Sequence, residues 1–282
     1  MSERVIRADG VELAAQSFGD PDHPTVLLNM GGMASMLWWP EALCERLASC
    51  GRYVIRYDNR DTGRSTKYPP GEPGYTFDDM VDDVLRVLDG YAIPAAHIVG
   101  MSLGAMIGQV AALKHSSRVL SLTAISSSPV GTDTSHLPQF SEAFLAQMEA
   151  AEKVDWSNRS QVIACMVEDS RVLAGPTHPF DEAEVRAFIE RDYDRAGGYL
   201  SAMTNHATLT AGDAWRGRLH EMKAPLLVIH GTADPVYPIE HGTALTEAVA
   251  GARLVRLNGG GHELHPAHWD TIVAAIARHT AR

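Results

Sequence analysis

The stretch Ala96-His97-Ile98-Val99-Gly100-Met101-Ser102-Leu103-Gly104-Ala105-Met106-Ile107-Gly108 constrains this chain more than any other. It reads as a short apolar strand, a sharp turn at Ser102 and a helix rich in small residues. Gly100-x-Ser102-x-Gly104 has the spacing of a strained strand-to-helix corner that exposes a serine hydroxyl. A Cβ at Gly100 or Gly104 would collide with the neighbouring strand or helix. The Leu103 amide then opens a helix whose positive end points at the serine and suits a developing oxyanion. Such a pattern arises by chance in roughly one chain in ten of this glycine and serine content, so its context must carry the reading.

That context is an alternation of apolar strands and amphipathic helices. Val5-Ile6 and Val11 to Phe18 flank the hairpin signal Asp9-Gly10. Thr25 to Asn29 is a short apolar run of the kind buried on both faces, and it ends in the glycine loop Met30-Gly31-Gly32-Met33. A helix is expected over Pro40 to Ala48, a strand over Tyr53 to Tyr57 and a loop over Asp58 to Ser65. Thr76 to Leu88 places Phe77, Met80, Val81, Val84, Leu85 and Leu88 on one stripe, with a capping-box signal at Thr76 and Asp79. Its four aspartates, Asp78, Asp79, Asp82 and Asp83, read as a solvated face. Strands follow at Leu120 to Ser126, Pro225 to His230 and Leu254 to Leu257, with helices over Ile239 to Val249 and around Trp269 to Ile276. Strands alternating with helices imply a mostly parallel, twisted sheet flanked by helices, an α/β fold.

Residues 129–215 break the rhythm with helical segments over Phe140 to Ala151, Ser160 to Val172 and Asp181 to Arg195. The expected division is a core of residues 1–128 and 216–282 and an inserted helical lid of residues 129–215. The insertion carries Phe144, Met148, Trp156, Met166 and Met203, residue types that suit an apolar roof over a pocket. Met33, Met148, Trp156, Met203 and His206 are the candidate substrate contacts, with His178 a further one.

An unassisted serine is a poor nucleophile at neutral pH and needs a base, which in turn needs an orienting carboxylate. Ligands and catalytic groups in open parallel sheets gather at the carboxyl ends of strands. Three such ends carry the chemistry in the order Ser102, Asp234, His262. His262 follows Gly259-Gly260-Gly261, a loop able to bring an imidazole over the serine. The other acid position, after the strand ending at Ser126, offers Ser127-Ser128-Pro129 and no carboxylate before Asp133. Two backbone amides complete an oxyanion hole: Leu103 and, from the glycine loop, Gly32.

Several function classes fall away. A formal net charge of −11 argues against nucleic acid or an anionic membrane surface as partner. His262-Glu263-Leu264-His265 has i,i+3 spacing interrupted by Pro266, not the spacing of a zinc-binding helix, and no metal or other cofactor is expected. Cys44, Cys50 and Cys165 are sparse and odd in number, as in a reduced cytoplasm, and read as structural. The stretch from Met1 lacks an apolar core of signal-peptide length, and no 18-residue apolar run occurs.

With these residues in order, the chain resembles the α/β-hydrolase superfamily over nearly its whole length. The resemblance rests on Met30-Gly31-Gly32, Arg56 to Ser65, Gly100 to Gly104, His230-Gly-Thr-Ala-Asp234-Pro235 and Gly260-Gly261-His262. Among named families it is most similar to the aclacinomycin methylesterases of anthracycline biosynthesis, a likeness that extends to Pro179 to Glu184 and Ala196-Gly197-Gly198. The resemblance implies Ser102 as nucleophile, His262 as base, Asp234 as orienting acid and the Gly32 and Leu103 amides as oxyanion donors. Met30 departs from the histidine that usually precedes the glycine, which bears on Gly32 and not on the triad. The expectation is a cofactor-free serine carboxylic-ester hydrolase, monomeric or homodimeric. It would act on small to medium hydrophobic esters, a polyketide-type methyl ester among them. Perhydrolase or haloperoxidase-like acyl chemistry, or ligand binding with slow turnover, would use the same scaffold.

Overall fold

A computed structural model describes residues 3–281. The first two residues of the stretch read for a leader lie outside them. The chain forms an eight-stranded sheet in the order β1-β2-β4-β3-β5-β6-β7-β8. The strands are β1 Arg4–Ala8, β2 Val11–Phe18, β3 Thr25–Asn29, β4 Tyr53–Tyr57, β5 Ala96–Met101, β6 Val119–Ile125, β7 Leu226–Gly231 and β8 Arg253–Leu257. The β1–β2 hairpin turns at Asp9 and Gly10, with φ of 50° and 79°, the left-handed pair that matches strand twist. This hairpin joins the sheet antiparallel to β4, and β4 through β8 are parallel, as the alternation of strands and helices requires.

Strands β3, β4, β5 and β7 are buried at every position because helices cover both faces. Side chains leave a strand alternately, so one strand feeds two cores. Leu27 and Ile98 pack with α2 (Phe77–Gly90), α3 (Leu103–Lys114) and α8 (Ile239–Ala248). Val26, Leu28 and Val99 pack with α1 (Glu41–Ser49) and α9 (Trp269–His279) on the other side. The capping box at α2 forms in both directions: Asp79 N–H donates to Thr76 Oγ1, and Thr76 N–H donates to the Asp79 carboxylate at 2.8 Å. The solvated face of α2 is corrected at one position. Asp83 is buried, because Arg60 reaches it with two hydrogen bonds of 2.7 and 2.9 Å and Arg86 with a third. A carboxylate enters a core when its charge is matched there.

Between β6 and β7 the chain runs through α4 (Glu142–Ala151), α5 (Arg159–Leu173), α6 (Glu182–Ala196) and α7 (Leu200–His206). Val162, Ile163, Val167, Ile189 and Tyr199 give these helices a small core of their own. The sequence patterns point to α4, α5 and α6. They do not point to α7, whose seven residues are too few for a periodic signal and which has no side-chain N-cap.

Candidate active site

Ser102 sits between β5 and α3 at φ 52° and ψ −120°, a strained backbone for a residue with a Cβ. The corner is tight because a Cβ on Gly100 would overlap the Gly104 carbonyl, and one on Gly104 would overlap the Asn29 carbonyl at the end of β3. The Ser102 amide donates to Ile125 O at 2.9 Å, and Ser127 Oγ donates to Ser102 O at 3.0 Å. The strain is therefore held by the neighbouring strand ends.

His262 and Asp234 meet across the carboxyl ends of β7 and β8. His262 Nδ1–H donates to Asp234 Oδ2 at 2.8 Å. The other carboxylate oxygen of Asp234 accepts the Val236 and Tyr237 amides at 2.9 and 2.8 Å. Burial alone would raise this carboxyl, but the neighbouring His262, with His230 behind it, holds it below the usual carboxylate range. An imidazole so held presents its free Nε2 as a base. Among the described residues neither Ser102 Oγ nor His262 Nε2 has a hydrogen-bond partner.

The three glycines before His262 serve close backbone packing as well as reach. A Cβ on Gly261 would overlap the Leu173 carbonyl at the end of α5, and Gly231 has no room beside the Gly260 carbonyl. His262 N–H donates to Leu173 O at 2.8 Å, and Gly175 N–H donates to Glu263 Oε1 at 2.8 Å. The histidine loop is thus fastened to the inserted helices.

The glycine loop after β3 lies against the serine corner. A Cβ on Gly31 would stand 3.2 Å from the Ser102 Cβ, and one on Gly32 would stand 3.5 Å from Leu103 Cδ2. Among the described residues the amides of Gly32 and Leu103 carry no hydrogen bond, which leaves both available to an anion. The next amide, Met33, is occupied: it donates to His206 Nδ1 at 2.8 Å.

The other candidate contacts are scattered. Met148 projects outward from α4 and is 47% exposed. Trp156 and Met203 pack against the insertion's own core. His206 is buried and spends both ring nitrogens on backbone, on Met33 N–H and on Arg60 O, so neither is free for a substrate. His178 stacks on His265 at 4.3 Å, with His268 at its edge. Burial pushes the Cys44 thiol up to about 12 and Cys165 up to about 11, so neither is a thiolate nucleophile at neutral pH.

Sequence reasoning missed Asp192 and Arg195. Asp192, fully buried on α6, accepts from Ser35 Oγ (2.5 Å), Trp38 Nε1 (3.1 Å) and Tyr199 OH (2.9 Å). Arg195 bonds Asp58 at 2.7 Å, and Asp58 accepts the Met36 amide at 2.7 Å. The signal for Asp192 was its place three residues past Ile189, on the apolar stripe of α6.

The strand order, the corner and the paired Asp234 and His262 define a class, and comparison with known proteins agrees. The model of the alpha/beta hydrolase fold family matches residues 24–268, and the chain belongs to that family. It is 35% identical to rhodomycin D methylesterase DauP of Streptomyces sp. (strain C5), covering 99% of this chain and 98% of that one. Rhodomycin D methylesterase DnrP of Streptomyces peucetius is 34% identical with the same coverage. Among solved structures, the esterase EaEST from Exiguobacterium antarcticum superposes with a TM-score of 0.80 at 19% identity, each chain covered in full, and shares the fold.

Proposed function

We propose that this chain is a serine carboxylic-ester hydrolase working through an acyl-enzyme. Ser102 Oγ attacks the acyl carbon while His262 Nε2 takes its proton. Asp234 holds the imidazole by Nδ1 and stabilises the imidazolium. The Gly32 and Leu103 amides receive the oxyanion of the tetrahedral intermediate. The alcohol leaves with the proton from His262, and a water activated by the same Nε2 releases the acid. The observation that carries this reading is the 2.8 Å bond between His262 and a buried Asp234, in a chain whose Ser102 stands at a strained strand-to-helix corner.

The substrate we propose is a hydrophobic ester, a polyketide-type methyl ester first among them, because the methylesterase relatives match over nearly their full length. Residues 129–215 would roof the site as a lid on a core of residues 1–128 and 216–282. The test is hydrolysis of p-nitrophenyl esters of graded chain length, beside an aromatic polyketide methyl ester, by wild type and Ser102→Ala. Wild type turns over, and Ser102→Ala loses on the order of 10⁶-fold in kcat. A mutant as active as wild type would overturn the nucleophile assignment. Turnover of short aryl esters without the methyl ester would overturn the substrate class.

A further inference from the structure

We propose that His206, on the last helix of the insertion, is a positioning residue for the oxyanion loop, acting through the Met33 amide. The proposal rests on the ester-hydrolase reading and deepens it. Met33 is a non-glycine residue at φ 67°, a left-handed conformation that needs support from outside the loop. Its amide donates to His206 Nδ1 at 2.8 Å, and His206 Nε2–H donates to Arg60 O at 2.8 Å. Because a backbone N–H only donates and a carbonyl only accepts, the pair dictates one neutral tautomer, with Nδ1 bare and Nε2 protonated. The ring is buried and cannot exchange either partner for water.

The consequence falls on Gly32. The Gly32 amide precedes the Met33 peptide, and its direction is set by the same turn. Released from His206, Met33 would relax toward negative φ and rotate the Gly32–Met33 peptide, which shifts the Gly32 Cα and with it the adjoining Gly31–Gly32 peptide that carries the Gly32 N–H. The Met33 amide would also become a loose donor beside the serine. The following residues are held from the same side: Asp192 on α6 takes Ser35 Oγ and Trp38 Nε1, and Arg195 on α6 steadies Asp58, which takes the Met36 amide. The C-terminal half of the insertion therefore acts as a clamp on the oxyanion loop.

His206→Asn keeps an acceptor near the Nδ1 position and loses the donor to Arg60. His206→Gln keeps a polar end near Nε2 and loses the acceptor for Met33. His206→Ala loses both. With p-nitrophenyl acetate we expect kcat to fall about 10- to 100-fold in the Gln and Ala variants, with KM within about twofold of wild type. An oxyanion donor acts on the transition state, so KM stays while kcat moves. His206→Asn should recover kcat to within about threefold of wild type, set against the loss of a misaimed donor. Long-range ¹H–¹⁵N spectra of wild type should show Nδ1 of His206 unprotonated at neutral pH. If the Ala variant does not fold, the Asn and Gln pair still decides. Wild-type kcat in the Gln variant, Asn as impaired as Gln, or a proton on Nδ1 would each overturn the proposal alone. Absence of wild-type turnover would overturn the hydrolase reading as well, so the two failures are told apart.

Discussion

Ser102 carries a conflict between conformation and chemistry. Its φ of 52° with ψ of −120° is a region that side chains with a Cβ avoid, and such a residue costs about 1–3 kcal/mol. The cost is tolerated because the corner lifts the hydroxyl clear of the sheet and leaves the Leu103 amide free at the head of α3. Glycine would remove the strain but would add unfolded-state entropy worth about 0.5–1 kcal/mol. The strain is the larger quantity, so Ser102→Gly should raise the unfolding free energy by about 1 kcal/mol while abolishing hydrolysis. Urea denaturation of the two proteins checks this, and a glycine variant less stable than wild type would refute it. Asp234 shows the opposite economy, since it is buried yet meets two amides and an imidazole and so supplies charge without strain.

At the scale of elements, the insertion is tied into the loops that surround the serine. Leu173 at the end of α5 holds the His262 amide, and Glu263 holds Gly175 in return. α6 reaches the other side of the site through Asp192 and Arg195. The Arg195–Asp58 pair is almost wholly buried, and Arg195 also bonds Glu3 at 2.9 Å. Removing one partner of a buried pair strands the other, which costs about 3–5 kcal/mol, whereas an exposed pair contributes about 0–1 kcal/mol. Arg195→Met should therefore lower stability by about 3 kcal/mol, read from urea denaturation. The exposed Arg216–Asp213 pair is the control, and its removal should shift stability by less than about 0.5 kcal/mol. Equal effects from the two would mean that burial does not set the value of these pairs.

For the whole molecule, the histidines govern the response to acid. Burial pushes His97 down to about 4 and pushes His206, His230, His265 and His268 below the ordinary value. Each is therefore less protonated in the folded chain than in the unfolded chain below about pH 6.5. Stability rises with pH wherever the unfolded state binds more protons, so this contribution is complete above about pH 6.5 and is lost as pH falls below it. The raised carboxyls of Asp58, Asp169 and Glu263 act in the opposite sense, and the five histidines outnumber them. The urea midpoint should fall from pH 7 to pH 5; an unchanged or rising midpoint would show that the buried histidines do not control stability there. His265 and His268 pack with the His178 ring where the insertion meets the loop after His262, so protonating His265 and His268 should loosen that junction.

Much of the molecule is legible in the chain because its causes are local. Glycines at 100 and 104 with a serine between them force a corner, short unbroken apolar runs place β3 and β5, a helical apolar stripe places α2, and the chain order of Ser102, Asp234 and His262 follows the strand ends. Asp83 misled for an equally local reason: on the helix wheel it lies with three solvated aspartates, and Arg60, which draws it inward, comes from another loop. The supports of the glycine loop after β3 were decided only in three dimensions. Met33 meets His206, Ser35 meets Asp192, and Asp58 meets Arg195 across intervals of well over a hundred residues. Hydrophobic periodicity reports which face of an element is buried. It carries no information on which distant polar group will satisfy a buried donor, and the packing of the insertion onto the sheet settles that pairing.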